Sequence, residues 1–71
     1  MNITTIKKFV VENIGVPHTF LYRGNRNQNE EFEGIITKSF PAIFVIEIIG
    51  DGSIKSFSYN DLIIGNLKVL S

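Results

Sequence analysis

Hydrophobic and polar positions near the start of the chain repeat with the period of an α-helix. Apolar side chains recur there at spacings of three and four residues, which places them on one face of a helix. These positions are Ile3, Ile6, Val10 and Ile14. Asn2 can cap the first turn, and Gly15, followed by Pro17, ends the pattern. We therefore predict a short helix over residues 3–14 whose apolar face packs against the rest of the fold.

From residue 16 onward the pattern changes to the alternation that is typical of β-strands. The predicted strands span residues 16–23, 31–40, 42–49, 53–59 and 65–70. The sequence GDG at Gly50–Gly52 predicts a tight hairpin turn, because glycine adopts the positive φ that such turns need. The sequence YNDL at residues 59–62 predicts a single helical turn before the last strand, with Ser58 or Asn60 as its cap.

The third predicted strand is apolar on both faces. Its faces consist of Ile43, Val45 and Ile49 on one side and of Phe44, Ile46 and Ile48 on the other. A strand that is apolar on both faces is usually buried on both faces. We therefore expect one face to line the interior of the sheet, and the N-terminal helix or another subunit to cover the other.

The order of the predicted elements indicates a mainly β fold. A short helix followed by five short strands is the layout of a small SH3-like or Sm-like barrel. Gly34, inside the second strand, predicts the bend or close backbone approach that small barrels use to turn a corner. An OB-fold is the alternative, but its helix lies between strands three and four, where the GDG turn leaves no room. We predict one domain over residues 1–71, a five-stranded SH3-like or Sm-like barrel with an N-terminal helix.

Composition and charge narrow the range of functions. Among its 71 residues the chain has seven cationic and seven anionic side chains, whereas dedicated binders of nucleic acid or membrane surfaces accumulate Lys and Arg. The absence of cysteine excludes disulfides and thiolate metal sites. Glu47 interrupts the longest apolar stretch, which falls short of the about 20 residues that span a bilayer. We therefore expect a cytoplasmic protein that does not enter a membrane.

Candidate catalytic and metal-binding groups are few. His18 is the only histidine, so a two-histidine metal site is excluded, and we expect this residue to be a partly buried strand histidine. The sequence DGS at 51–53 resembles the start of a calcium loop but lacks the other spaced carboxylates and the closing glutamate, which indicates a plain turn. We predict that the protein is not an enzyme and has no catalytic residue, metal or cofactor.

Residues near the first loop form a candidate site for an acidic partner or for phosphates. This set, called the cationic set below, comprises Tyr22 for stacking, Arg23 and Arg26 at the loop, and Lys38 and Lys55, which we expect to project nearby. The alternative is ordinary solubilising charge. A nucleic-acid-binding role would depend on this set, and its binding would weaken steeply with salt.

Two segments, in order, resemble a known protein family. GIITKSFPAIFVIEI at residues 34–48, followed by SFSYNDL at residues 56–62, is similar to the Veg family of small Gram-positive bacterial proteins, the biofilm formation stimulators. The matching positions are Gly34, Phe40, Pro41, Phe44, Val45, Ser56, Phe57, Ser58, Tyr59 and Asp61. Five of these positions, Gly34, Pro41, Phe44, Val45 and Asp61, also have a structural explanation, at the bend, the corner, the core or the turn before strand five. The first loop departs from the strongly basic, glycine-rich loop of the family, because this chain has only RGNRNQN there.

The resemblance implies a non-enzymatic regulator with an SH3-like barrel. Such a protein promotes biofilm matrix gene expression by antagonising a transcriptional repressor. We therefore expect a small protein-interaction module whose partner is a protein such as a transcriptional regulator. The alternative is an Sm-like or SH3-like nucleic-acid-binding protein that uses the cationic set.

The doubly apolar third strand also predicts self-association. An open small barrel has unpaired strand edges, and a chain of zero net charge has little repulsion to keep copies apart. We therefore predict a homodimer, formed by edge pairing or by apolar packing beside the third strand.

Overall fold

The computed structural model describes residues 2–24 and 28–71. Its elements are α1 Ile3–Glu12, β1 Pro17–Arg23, β2 Asn29–Ser39, β3 Ile43–Ile48, β4 Ile54–Ser58, α2 Tyr59–Ile64 and β5 Leu67–Val69. The mainly β class is confirmed, with five antiparallel strands in one sheet and two short helices. None of the helices in the described part of the chain is long and apolar enough to cross a membrane.

Polar side chains and a glycine set the ends of α1. The Oδ1 atom of Asn2 accepts a hydrogen bond from the Thr5 N–H at 2.9 Å, which caps the first turn as predicted. The helix ends at Glu12, two residues before the predicted end. Gly15 then adopts a φ of 86°, and its N–H donates to the carbonyl oxygen of Ile36 at 2.8 Å. This bond ties the end of α1 to the middle of β2.

The sheet is open and strongly curled. Its strand order is β4-β3-β2-β1-β5, so β4 and β5 are its edges, and no ladder joins them within the described residues. The ring centroids of Tyr22 in β1 and Phe57 in β4 are nevertheless 5.4 Å apart. In a flat sheet, strands three places apart are separated by about 14 Å. The sheet therefore curls until β1 and β4 face each other, but the closed SH3-like or Sm-like barrel is not confirmed and stays a prediction.

The core fills the concave face of the curled sheet. It contains Ile6, Val10, Phe20, Phe32, Ile36, Phe44, Ile46, Phe57, Tyr59 and Leu67. Since α1 contributes Ile6 and Val10 to this core, the helix covers the concave face and leaves the convex face of β3 uncovered. Ile43 of β3 and Ile54 of β4 are 38% and 67% exposed. Of the two covers expected for the doubly apolar strand, the helix is thus excluded, and a second subunit stays a prediction.

Several residues that match the family motif have structural roles in the fold. A Cβ on Gly34 would lie 2.5 Å from the Cγ2 atom of Ile46, so the close approach expected at this glycine is present. The Tyr59 hydroxyl donates to the carbonyl oxygen of Phe40 at 2.7 Å, which joins the two motif segments. The last member of the motif, Asp61, forms a capping box at the start of α2.

Candidate functional site

An apolar groove separates α1 from the edge strand β5. It has a volume of about 660 Å³, within the range of about 300–1,000 Å³ typical of ligand pockets. Its main lining residues are Thr5, Ile6 and Phe9 of α1, His18 of β1, Leu62 of α2 and residues 67–71. We call this feature the α1–β5 groove. Its mostly apolar lining suits the side chains of a protein segment rather than a charged metabolite.

The first turns of α1 form one wall of the groove. Thr5 and Phe9 are four residues apart and therefore project from the same side of the helix. Ile6 beside them is buried, whereas Phe9 is half-buried and Thr5 is exposed. The Phe9 ring is held by the His18 ring, with centroids 6.1 Å apart. This wall is thus anchored in the core and open to an approaching chain.

The opposite wall is the outer edge of β5. The Leu70 N–H donates to the Thr19 carbonyl oxygen at 2.8 Å, and the Arg23 N–H donates to the Asn66 carbonyl oxygen at 2.7 Å. Hydrogen-bonded and non-hydrogen-bonded pairs alternate along an antiparallel ladder. The even-numbered residues from 66 to 70 therefore direct their backbone groups toward β1, and the residues between them direct theirs away from it.

Leu67 and Val69 are those outward-facing residues. The backbone N–H and C=O groups of both point to the open edge of the sheet, beside the groove. Their side chains lie on the concave face, opposite Tyr22 and Phe20 of β1 in the strand register. Within residues 2–24 and 28–71 no strand pairs with this edge, so the groove combines apolar surface with backbone donors and acceptors that are open to a partner, a combination that suits the addition of a further strand.

His18 lines the groove, and both of its ring nitrogens lie close to oxygen atoms of the fold. Its Nδ1 and Nε2 atoms lie 2.7 Å from the Ser71 carbonyl oxygen and 2.9 Å from the Asn13 Oδ1 atom. The Asn13 amide nitrogen donates to the Phe9 carbonyl oxygen, which leaves the amide oxygen facing the ring. Both partners of the ring are therefore acceptors, and a neutral imidazole can donate to only one of them. His18 is half-buried in β1, as predicted.

Lys68 is the charged residue beside the groove. It is exposed, and its alternation with Leu67 and Val69 places its side chain on the convex side of β5. Within the described residues, the one ion pair closer than 4.0 Å joins Lys55 to Glu30, at 3.0 Å. Lys68 thus lies at the open edge as a cation that forms no ion pair with any other described residue.

The sheet distributes the cationic set over two faces. Tyr22 and Lys55 lie on the concave face, where Lys55 also rests 5.7 Å from the Phe32 ring centroid. Arg23 and Lys38 lie on the convex face, and Arg26 falls outside the described residues. The expectation that Lys38 and Lys55 project together is therefore wrong.

A β-bulge is the physical reason for this separation. The register of β2 against β3 shifts between Ile36 and Lys38, so that Lys38 pairs with Val45 rather than with Phe44. The extra residue, Thr37, reverses the alternation of the rest of β2. Without it, Lys38 would share the concave face with Lys55. The binding role of the individual residues of the set stays a prediction.

Sequence reasoning did not find the α1–β5 groove. The apolar residues of α1 and the last strand were each predicted, but no local pattern tells which strands lie at the edges of a sheet. The signals present in the sequence are the alternation of Leu67, Lys68 and Val69 and the apolar side chain of Phe9. They indicate the groove only once the strand order is known.

Comparison with known proteins identifies the family. The family model described as "Biofilm formation stimulator VEG" matches residues 1–69 of the 71-residue chain. The chain belongs to the VEG family. The resemblance carried by the segments at residues 34–48 and 56–62 is thereby confirmed. A comparison with curated proteins found no match. In this VEG family member, the matched region contains α1 and all of β5, and hence both walls of the groove.

Proposed function

We propose that this VEG family member stimulates biofilm formation as a non-enzymatic protein-interaction module. Its partner is a transcriptional repressor, which it antagonises by holding a segment of the repressor in the α1–β5 groove. The observation that carries this proposal is the groove itself, which joins apolar surface to an open strand edge. A transcriptional repressor is the partner that the family resemblance implies, and the proposed site of action is the cytoplasm, where such a repressor works.

The chemistry of the groove supports binding rather than catalysis. Its lining is apolar apart from Thr5, His18, Lys68 and Ser71, and both ring nitrogens of His18 lie within 2.9 Å of oxygen atoms of the fold itself. Desolvation of apolar side chains is the main favourable term in most protein associations. A partner segment that fills the groove is therefore stabilised by the desolvation of apolar side chains and also by backbone hydrogen bonds at β5.

The distribution of cations supports a protein partner over nucleic acid. A nucleic-acid site needs several cations on one surface that follows the phosphate backbone. The described members of the cationic set instead lie on opposite faces of the sheet, and Lys55 is paired with Glu30. Titration with single-stranded and duplex oligonucleotides at two salt concentrations separates the two functions. Tight binding with a steep salt dependence would support nucleic acid and contradict our proposal.

Two matched variants in the first turn of α1 test the groove directly. Thr5 lines the groove and its neighbour Thr4 does not, although both are exposed. Thr5→Glu places a carboxylate in the groove, where a bound apolar segment would have to desolvate it. Thr4→Glu adds the same charge outside the groove. Both substitutions suit the start of a helix, where glutamate is favourable, so neither should unfold the protein.

The readout is biofilm formation in a Gram-positive host that lacks its own VEG family member. We expect the wild-type chain and Thr4→Glu to restore biofilm mass and matrix gene expression, and Thr5→Glu to fail. Circular dichroism and melting temperature establish that both variants fold. If both variants restored biofilm formation equally, the groove would not be needed for the function. Failure of both would show that the charge in α1 matters but the groove does not.

A further inference from the structure

We infer that the α1–β5 groove selects an extended partner segment with the pattern apolar–acidic–apolar, bound as an antiparallel strand on β5. This inference rests on the function proposed above and names the chemistry of the partner at the same site. It follows from the direction of the backbone groups of β5, the side chains that flank them, and the position of one cation.

The backbone sets the length and register of the segment. Leu67 and Val69 are two residues apart and both face the open edge, so an antiparallel partner strand can exchange a pair of hydrogen bonds with each of them. The partner residues opposite these two positions are themselves two residues apart. A stretch of three extended residues therefore covers the open edge of β5.

The outer two residues of that stretch must be apolar. Directly paired residues of an antiparallel ladder point their side chains to the same face of the sheet. The side chains opposite Leu67 and Val69 therefore point into the groove, toward the wall formed by Ile6 and Phe9. Branched aliphatic side chains suit both the strand conformation and this apolar lining.

The middle residue lies opposite Lys68, on the convex side of the sheet. It belongs to a non-hydrogen-bonded position of the new ladder, where paired side chains approach most closely. Lys68 is exposed and has no ionic partner within 4.0 Å in the described part of the chain. An aspartate or glutamate in the middle position completes a cross-strand ion pair.

Lys68 also argues against a second copy of this chain as the occupant. Antiparallel pairing of two β5 edges that matches Leu67 of one copy with Val69 of the other places Lys68 directly opposite Lys68. Like charges in this position are destabilising, and a lysine on an edge strand is a common device against self-pairing. The β5 edge therefore favours binding of a different protein over pairing with a second copy of this chain. This argument concerns the β5 edge alone, and the predicted homodimer can still form by pairing at the other edge strand, β4, or by apolar packing beside β3.

Two synthetic peptides and one charge reversal test the inference. The peptides are Ser-Thr-Ile-Glu-Ile-Thr-Ser and the same sequence with lysine in the middle, each titrated into the isotopically labelled full chain and followed by NMR. We expect the glutamate peptide to bind about fivefold more tightly than the lysine peptide at low salt. In Lys68→Glu the preference should reverse. The amide signals of Leu67 and Val69 should shift most strongly.

Backbone pairing is tested separately. Val69→Pro removes an N–H that faces the open edge, a position where an edge strand tolerates proline. We expect this variant to lose binding of the glutamate peptide at least fivefold and Thr4→Glu to retain it. Equal affinities for the two peptides, or a preference that Lys68→Glu leaves unchanged, would overturn the inference. Shifts confined to another face of the sheet would overturn it as well.

These results are independent of the biofilm test. If neither peptide binds while Thr5→Glu still abolishes biofilm formation, the proposed function stands and the strand-addition pattern is wrong. If the glutamate peptide binds as expected while Thr5→Glu restores biofilm formation, the recognition pattern stands and the proposed function is wrong.

Discussion

Replacing Gly34 with alanine tests how tightly the centre of the curled sheet is packed. A Cβ at this position would lie 2.5 Å from the Ile46 Cγ2 atom, 3.3 Å from the Glu47 carbonyl oxygen and 3.6 Å from the Phe20 ring. Ile46 and Phe20 are both 0% exposed, so neither can move aside into solvent. The added methyl group must therefore displace packed core atoms.

The sign of the effect separates this clash from an ordinary glycine substitution. At an unstrained site, Gly→Ala stabilises a protein by about 0.4–1 kcal/mol because it restricts the unfolded chain. Overpacking a core costs about 1–3 kcal/mol. We expect the clash to dominate and the free energy of unfolding to fall by about 2 kcal/mol. For a domain of this size, that corresponds to a melting temperature lower by about 8–16 °C.

Thermal and urea unfolding of three variants provides the assay. Gly34→Ala is compared with Ile46→Leu, which removes the γ2 branch that the new methyl group would meet, and with the double variant. We expect the double variant to be more stable than the sum of the single effects predicts, since the two positions are in contact. A stabilised Gly34→Ala variant, or strict additivity, would refute the close approach that we describe.

Three further predictions concern the motif, the GDG turn and self-association. Tyr59→Phe removes the hydrogen bond to the Phe40 carbonyl oxygen and should lower the free energy of unfolding by about 1–2 kcal/mol in urea titrations; an unchanged midpoint would contradict this. Hydrogen bonds from the Ser53 N–H and hydroxyl lower the pKa of the Asp51 carboxyl. The ionised carboxylate therefore stabilises the fold above about pH 4, and this stability is lost as the pH falls through the lowered pKa. Asp51→Asn should therefore flatten the acid side of the melting profile, and identical profiles would exclude this contribution. Light scattering at micromolar concentration should show about twice the 8.0 kDa chain mass, and Ile54→Lys should reduce it to one chain; a constant 8.0 kDa for the wild type would contradict the homodimer.

Much of the fold follows from local patterns in the sequence. Alternation predicts β1, β4 and β5, because half-buried strands expose every second residue, and a short run that is apolar on both faces predicts β3. Turn chemistry is equally local, since Gly50 and Gly52 adopt φ values of 117° and 72° in the predicted GDG turn. Helix capping is local too: Ser58 directly precedes α2 and forms a capping box with Asp61, three residues later. Such features depend only on residues a few positions apart.

The remaining features depend on contacts between distant residues. The bulge at residues 36–38 moves Lys38 to the convex face, and one extra residue in a ladder leaves no clear mark in the alternation. The side of the sheet that α1 covers depends on how far the sheet curls, which the Tyr22–Phe57 contact reveals. The candidate site depends on both local and long-range features. Local patterns predict its walls, α1 and β5, but contacts between distant residues decide how these walls lie relative to each other.

Photocrosslinking from the wall of the α1–β5 groove tests the central claim most directly. The reactive residue p-benzoylphenylalanine replaces Phe9, which lines the groove, or Val11, which is 55% exposed on the same helix and does not line it. Cells forming biofilm are irradiated, and crosslinked peptides are identified by mass spectrometry. We predict that position 9, and not position 11, crosslinks to a transcriptional regulator within an apolar–acidic–apolar segment. Equal crosslinking from both positions, or crosslinking from position 11 alone, would contradict the assignment of the groove as the binding site.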